Sequence, residues 1–161
     1  MLKAINGGKL PTKGTKYSAC IDLYANEDVV IGAGETAIVG LGVCIDMEYI
    51  KYLNMVEWVN SDDKSDGHTL DKESCLLFFQ NHQLNLYPRS SLSAKGLISN
   101  VGIIDLDYKD EINLIVYNTT KTDFYITRGD RIAQIQLVEH KTNLIGVHTE
   151  TKRIGGIGST N

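Results

Sequence analysis

Proline, cysteine and positive charge are all in short supply in this sequence. Only two prolines occur in 161 residues, Pro11 and Pro88, and no linker or internal repeat divides the chain. The three cysteines, Cys20, Cys44 and Cys75, are an odd number without metal-ligand spacing. That argues against a disulfide framework and predicts apolar core thiols. Four histidines, His68, His82, His140 and His148, form no close pair, so no metal cage is expected and each is assigned to the surface or a loop. Sixteen Lys+Arg stand against 20 Asp+Glu, a formal net charge of −4. Long nucleic acids bind through a basic surface and are not expected partners, whereas a small anion held by a few local cations is compatible. No apolar run approaches a membrane span, and residues 1–8 hold no apolar signal core. A soluble cytoplasmic protein is expected, or one in the host cytoplasm if virus-encoded.

Alternation is what the sequence has in quantity. Ala133, Ile135 and Leu137 project opposite to Gln134, Gln136 and Val138, the period of a half-buried strand. Leu84, Leu86 and Pro88 alternate with Gln83, Asn85 and Tyr87, and Ile112, Leu114 and Val116 with Asn113, Ile115 and Tyr117. Short strands are predicted at Val29–Ile31, Thr36–Val39, Val43–Asp46, Asn113–Asn118, Phe124–Ile126 and Ile132–Glu139. Fifteen glycines and many Asn, Asp, Ser and Thr residues separate them. This is the profile of an all-β sandwich, jelly roll or barrel. One short helix is predicted from Ser91 to Leu97, capped by Ser90 or Ser91.

The segment Asn60 to Ser74 breaks the rhythm, being polar and acidic between the apolar flanks Tyr52–Val59 and Cys75–Gln80. It predicts an added hairpin and polar loop over about residues 48–82, inside a β domain of residues 1–150. Residues 151–161 form a glycine-rich terminal tail.

Several clusters could carry chemistry. In Pro88-Arg89-Ser90-Ser91-Leu92, proline stiffens the approach and Arg89 offers a planar, permanently charged fork. Ser90 adds a hydroxyl, and the backbone N–H groups of Ser90 and Ser91 open the helix, where anions are favoured. The same pentapeptide also suits a turn whose arginine makes a structural salt bridge. In Asp105-Leu106-Asp107-Tyr108, alternation sends the two acids to one side and Leu106 and Tyr108 to the other. A carboxylate beside an aromatic ring can hold a water and support a sugar or base; an Asp-rich β-turn packed on a tyrosine is the alternative. In Gly129-Asp130-Arg131, the acid and base are expected to make local structural bonds. Gln134 lies on a strand where a buried amide needs a partner. The run Gly155-Gly156-Ile157-Gly158-Ser159-Thr160 follows Lys152-Arg153 but does not sit between a strand and a helix, so neither a P-loop nor a dinucleotide fold is indicated.

In this order the motifs resemble those of the homotrimeric dUTP diphosphatase (dUTPase) family. The likeness spans residues 10 to 160 and adds Ala19-Cys20-Ile21-Asp22-Leu23-Tyr24-Ala25, Val101 to Tyr108, and Gly129 to Gln134 to the clusters above. It implies a distorted jelly-roll β-barrel with one short helix and a flexible C-terminal tail. The subunits would form a homotrimer with active sites shared between chains. It also implies attack of water on the α-phosphorus of dUTP, giving dUMP and pyrophosphate and so removing dUTP and supplying dUMP for dTMP synthesis.

By this resemblance Asp105 orients and deprotonates the water, and Tyr108 packs on the deoxyribose and excludes a 2′-hydroxyl. Asn100, Gly102, Ile103, Ile104 and Asn113 read uracil, while Arg89, Ser90, Ser91 and Gln134 hold the phosphates. Mg²⁺ rides on those phosphates with Asp22 reaching its waters. A lid of Arg153, Ile157, Gly158 and Ser159 closes over the site, with Lys152 the alternative lid cation.

The chain departs from the family pattern in places. Cys20 and Ser91 stand where glycine is usual or common, and Ile157 replaces a phenylalanine that stacks on the base. The related dCTP deaminase shares the fold and the Arg-Ser-Ser grip, but its catalytic glutamate falls at Ile115 here, which disfavours deamination. A non-catalytic interaction protein switched by nucleotide is the remaining alternative.

Overall fold

Short apolar-polar alternations build antiparallel sheets across the described residues. The computed structural model describes residues 1–49 and 78–145. The strands run β1 (Leu2–Ala4), β2 (Thr12–Lys13), β3 (Ile21–Tyr24), β4 (Val29–Ile31), β5 (Thr36–Gly40) and β6 (Val43–Ile45). They continue as β7 (His82–Pro88), β8 (Leu97–Ile98), β9 (Gly102–Asp105), β10 (Asn113–Asn118), β11 (Phe124–Ile126) and β12 (Arg131–Glu139). A single-turn helix, α1 (Ser90–Ser93), follows β7, and a 3₁₀ turn spans Thr142–Ile145.

The largest sheet has the order β2-β3-β12-β7-β9, and a second has β5-β10-β8; β1-β6 and β4-β11 are two-stranded. All strand pairings among the described residues are antiparallel. The chain is thus all-β, of the jelly-roll type, with few and short helices. Between the sheets lies one core that includes Leu23, Val39, Leu41, Val43, Leu97 and Ile132, each fully buried. Burying side chains of this size stabilises the fold by about 1.5–3 kcal/mol apiece. Asn118 is the fully buried polar residue in it. Its amide donates to the carbonyls of Ile31, Gly32 and Thr122 at 2.9, 3.1 and 2.9 Å, and its oxygen accepts from Thr120 N and Oγ1 at 3.0 and 2.8 Å. Polar satisfaction of that kind lets an amide sit in a core without cost to the fold.

The predicted strands at Val29–Ile31, Asn113–Asn118 and Phe124–Ile126 have the bounds of β4, β10 and β11, and the rest differ by a residue. The helix is shorter than Ser91–Leu97. Gly96 takes a left-handed φ of 88° and Leu97 is drawn into β8, paired with Asn118. The N-cap is Arg89, with no side-chain cap hydrogen bond, rather than a serine. Cys44 is a core thiol, but Cys20 is only half-buried, since it lies in the bend before β3. His82 is not in a loop: it opens β7, half-buried, with its ring stacked 4.3 Å from that of Phe78. Of the added hairpin, residues 50–77 lie outside the described residues; the flanks 47–49 and 78–81 are helical turns. Cys75, His68, His148 and the tail lie outside them too. Among the described residues no helix is long and apolar enough to cross a membrane.

Candidate active site

The residues singled out from sequence fall into two groups. The first gathers where β3, β12 and the end of β7 meet. Gly129, with φ 91°, turns the chain into β12. Asp130 holds that turn, accepting from Thr127 N at 2.9 Å through its carboxylate and from Ala25 N at 2.9 Å through its carbonyl. The β12–β3 register then slips between Arg131 and Ala133, so that Ile132 and Ala133 are both buried. A bulge of this kind re-aims a neighbouring side chain. Arg131 is not confined to local bonds: its Nη1 reaches Asp22 Oδ2 at 3.4 Å.

Asp22 is buried, and its other oxygen, Oδ1, lies 3.4 Å from Arg89 Nε. One acid therefore stands between two guanidiniums, one from the first residue of β12 and one from just past the end of β7, both on the same side of β3. Arg89 is fixed at its backbone by a 3.0 Å hydrogen bond from its N–H to Ile132 O, inside the bulge. Ser90 and Ser91 are exposed beside it, at a helix start where the first N–H groups have no intrahelical acceptor. Gln134 pairs in register with Asp22 on one side and Tyr87 on the other. It is half-buried, and its side-chain amide has no hydrogen-bond partner among the described residues. Along β7 a polar relay faces the same way: Gln83 Nε2 donates to Asn85 Oδ1 at 2.8 Å, and Asn85 Nδ2 to Tyr87 OH at 3.1 Å. The alternation of Gln83, Asn85 and Tyr87 was visible in the sequence, but not the bonds that join them.

The second group surrounds β9. This strand is at the edge of the five-stranded sheet, so one row of its N–H and C=O groups is unpaired with any strand among the described residues. Ile103 is exposed and Gly102 and Ile104 are half-buried. Asp105 ends the strand, exposed, and starts a turn closed by Tyr108 N to Asp105 O at 3.0 Å. Leu106 is buried while Asp107 is exposed and Tyr108 half-buried, the sidedness expected, although a turn rather than alternation produces it. Tyr108 OH donates to Glu111 O at 3.3 Å and Asn113 Nδ2 to the same oxygen at 2.7 Å. Asn100 is exposed just before β9.

Register measures how far apart the groups are. Asp105 pairs with Gln83, at the start of β7, whereas Arg89 follows Pro88, at its end. Six residues of strand put about 20 Å between the two positions. Two groups so placed cannot act on adjacent phosphates of one triphosphate within a single chain. Arg153, Ile157, Gly158, Ser159 and Lys152 lie outside the described residues.

A family model described as dUTPase matches residues 75–160, more than half of the sequence. The chain belongs to the dUTPase family. Similar proteins include the deoxyuridine 5′-triphosphate nucleotidohydrolase of Rickettsia akari, 31% identical over 162 residues that cover 95% of this chain and 88% of that one. The protein of the same name from Debaryomyces hansenii is 30% identical over 129 residues, covering 80% of this chain and 61% of that one, so the match spans less than two thirds of that relative. A mutant dUTPase from phage phi11 of S. aureus, solved with coordination of a structural Mg(II) ion, shares the fold. Its TM-score is 0.64 at 17% identity, over 99% of this chain and 98% of that one. In this dUTPase-family chain the described residues hold no group of three or more His, Cys, Asp or Glu fit to cage a metal.

Proposed function

We propose that the protein is a dUTP diphosphatase. It hydrolyses dUTP to dUMP and pyrophosphate, removing dUTP and supplying dUMP for dTMP synthesis. It works as a homotrimer, with each centre assembled from more than one chain. The observation that carries this reading is the division of the site into two chemically complementary halves about 20 Å apart on β7. Cation, amide and N–H donors suited to phosphate lie at one end; a carboxylate, a tyrosine and an open strand edge lie at the other.

Arg89 offers its fork to the phosphate chain, with Gln134 and the N–H groups of Ser90 and Ser91 beside it. Asp105 accepts a proton from water as the water oxygen bonds to the α-phosphorus. The bond from that phosphorus to the oxygen bridging to the β-phosphate breaks, and pyrophosphate departs with the electron pair. Tyr108 packs on deoxyribose where a 2′-hydroxyl would clash. The open edge of β9 at Gly102, Ile103 and Ile104 pairs with the polar edge of uracil as it would with a strand, aided by Asn100 and Asn113. Arg153, or Lys152 in its place, with Ile157, Gly158 and Ser159, would close over the nucleotide from residues 151–161 and exclude water. Residues 1–150 then form the catalytic domain, with 48–82 as an addition to it.

The donor chemistry suits Mg²⁺ held mainly by substrate. With no protein cage among the described residues and both Asp22 oxygens facing arginines, Asp22 fits contact through the ion's waters rather than direct ligation. When bound, Mg²⁺ would neutralise charge on the triphosphate. Deamination of dCTP is disfavoured, because the position that would need a glutamate is the exposed Ile115.

Incubating the full chain with dUTP, dCTP, dTTP and UTP plus Mg²⁺ tests the proposal by pyrophosphate release. Turnover of dUTP alone is expected. Equal turnover of UTP or dTTP would refute the roles of Tyr108 and β9, and ammonia from dCTP would install the deaminase reading.

A further inference from the structure

Glu111 has a position that the reaction does not itself require. Its backbone carbonyl accepts two hydrogen bonds, from Tyr108 OH at 3.3 Å and from Asn113 Nδ2 at 2.7 Å. A carbonyl oxygen has two lone pairs, so both donors can be held at once. Its carboxylate is tied to the body of the protein. Gly42 N donates to Oε1 at 2.6 Å and Asn6 Nδ2 to Oε2 at 3.3 Å. The seat is shaped for it: a Cβ on Gly40 would stand 2.8 Å from Oε1. Asn6, at φ 53°, is held in the left-handed region that asparagine tolerates, which turns its side chain toward the acid. Beside this tether, Leu41 N to Ile112 O at 3.1 Å and Ile112 N to Val43 O at 2.8 Å join the same two segments.

We propose that Glu111 is a positioning residue for substrate discrimination. Its side chain clamps the segment between β9 and β10 to the turn at Gly40–Gly42, and so fixes the carbonyl on which the sugar-reading tyrosine and the base-reading asparagine are both oriented. The inference rests on the reading of Tyr108 and Asn113 given above. A purely structural glutamate would affect stability and leave selectivity alone.

Glu111→Ala removes the clamp, whereas Glu111→Gln keeps an oxygen for Gly42 N. The readouts are kcat/KM for dUTP relative to UTP and dTTP, and amide hydrogen exchange over residues 106–113 in the full chain. Glu111→Ala is expected to lower the selectivity ratios by about 10-fold or more, the scale of one displaced hydrogen bond, and to speed exchange in that segment. Glu111→Gln should stay near wild type in both. Should Glu111→Ala fail to fold, Gly40→Ala crowds the carboxylate without removing it, and should shift the ratios the same way. A folded Glu111→Ala protein with wild-type ratios, or a Glu111→Gln protein that falls as far, overturns the role of Glu111. A wild type without preference for dUTP overturns instead the site reading on which it rests.

Discussion

The carboxylate of Asp22 lies 3.4 Å from the guanidinium of Arg89, so the cation assigned to phosphate already has a negative neighbour. A phosphate bound by Arg89 would compete with that acid for its positive charge. Arg131, 3.4 Å from the other oxygen, shares Asp22 and lowers the cost of the exchange. Arg131→Gln should leave Asp22 to Arg89 alone and raise KM for dUTP by up to about 10-fold, the scale of a weakened charge-assisted hydrogen bond. Steady-state kinetics check this, and an unchanged KM would remove Arg131 from the site.

Asp105→Asn retains the shape of the turn and loses the proton acceptor. Turnover should fall by at least ~10²-fold, the low end for a positioned base, while dUTP still binds in calorimetry. Near-normal turnover would mean that another group activates the water.

Complementation tests the division of the site between chains. Arg89→Ala and Asp105→Asn chains are each expected to be inactive. Refolded together, they should regain activity, because some centres would combine an intact phosphate half with an intact β9 half. Two variants that stay silent when mixed would place both halves in one chain.

Asn118→Ala should destabilise the fold by at least about 2 kcal/mol, since it strands buried carbonyls that now receive its amide. Chemical denaturation measures the change. A smaller loss would mean that water fills the gap and bonds those carbonyls.

Much of this molecule was legible from residue order. Period-two patterns located β4, β10 and β11, because each has one face in the core and one in solvent. The patterns could not show Ile132 turning inward with Ala133, since a bulge inserts a residue without any composition mark. Ala94 and Lys95 are good helix formers and favour a longer helix, while the left-handed Gly96 and the pairing of Leu97 with Asn118 end it. In the site, residue types identified Arg89, Asp105, Tyr108 and Gln134 as candidates. Their partners were hidden for a different reason. Arg131 and Asp22 are 109 residues apart, and Gly42 and Glu111 69 apart. Only the folded sheets bring such pairs together.

The length of β7 has a consequence for how the protein would behave in dilute solution. A newly made solitary subunit would own two unfinished halves and no working centre. Specific rate should then climb with protein concentration until assembly saturates, and mass action would set the threshold at which the activity first appears.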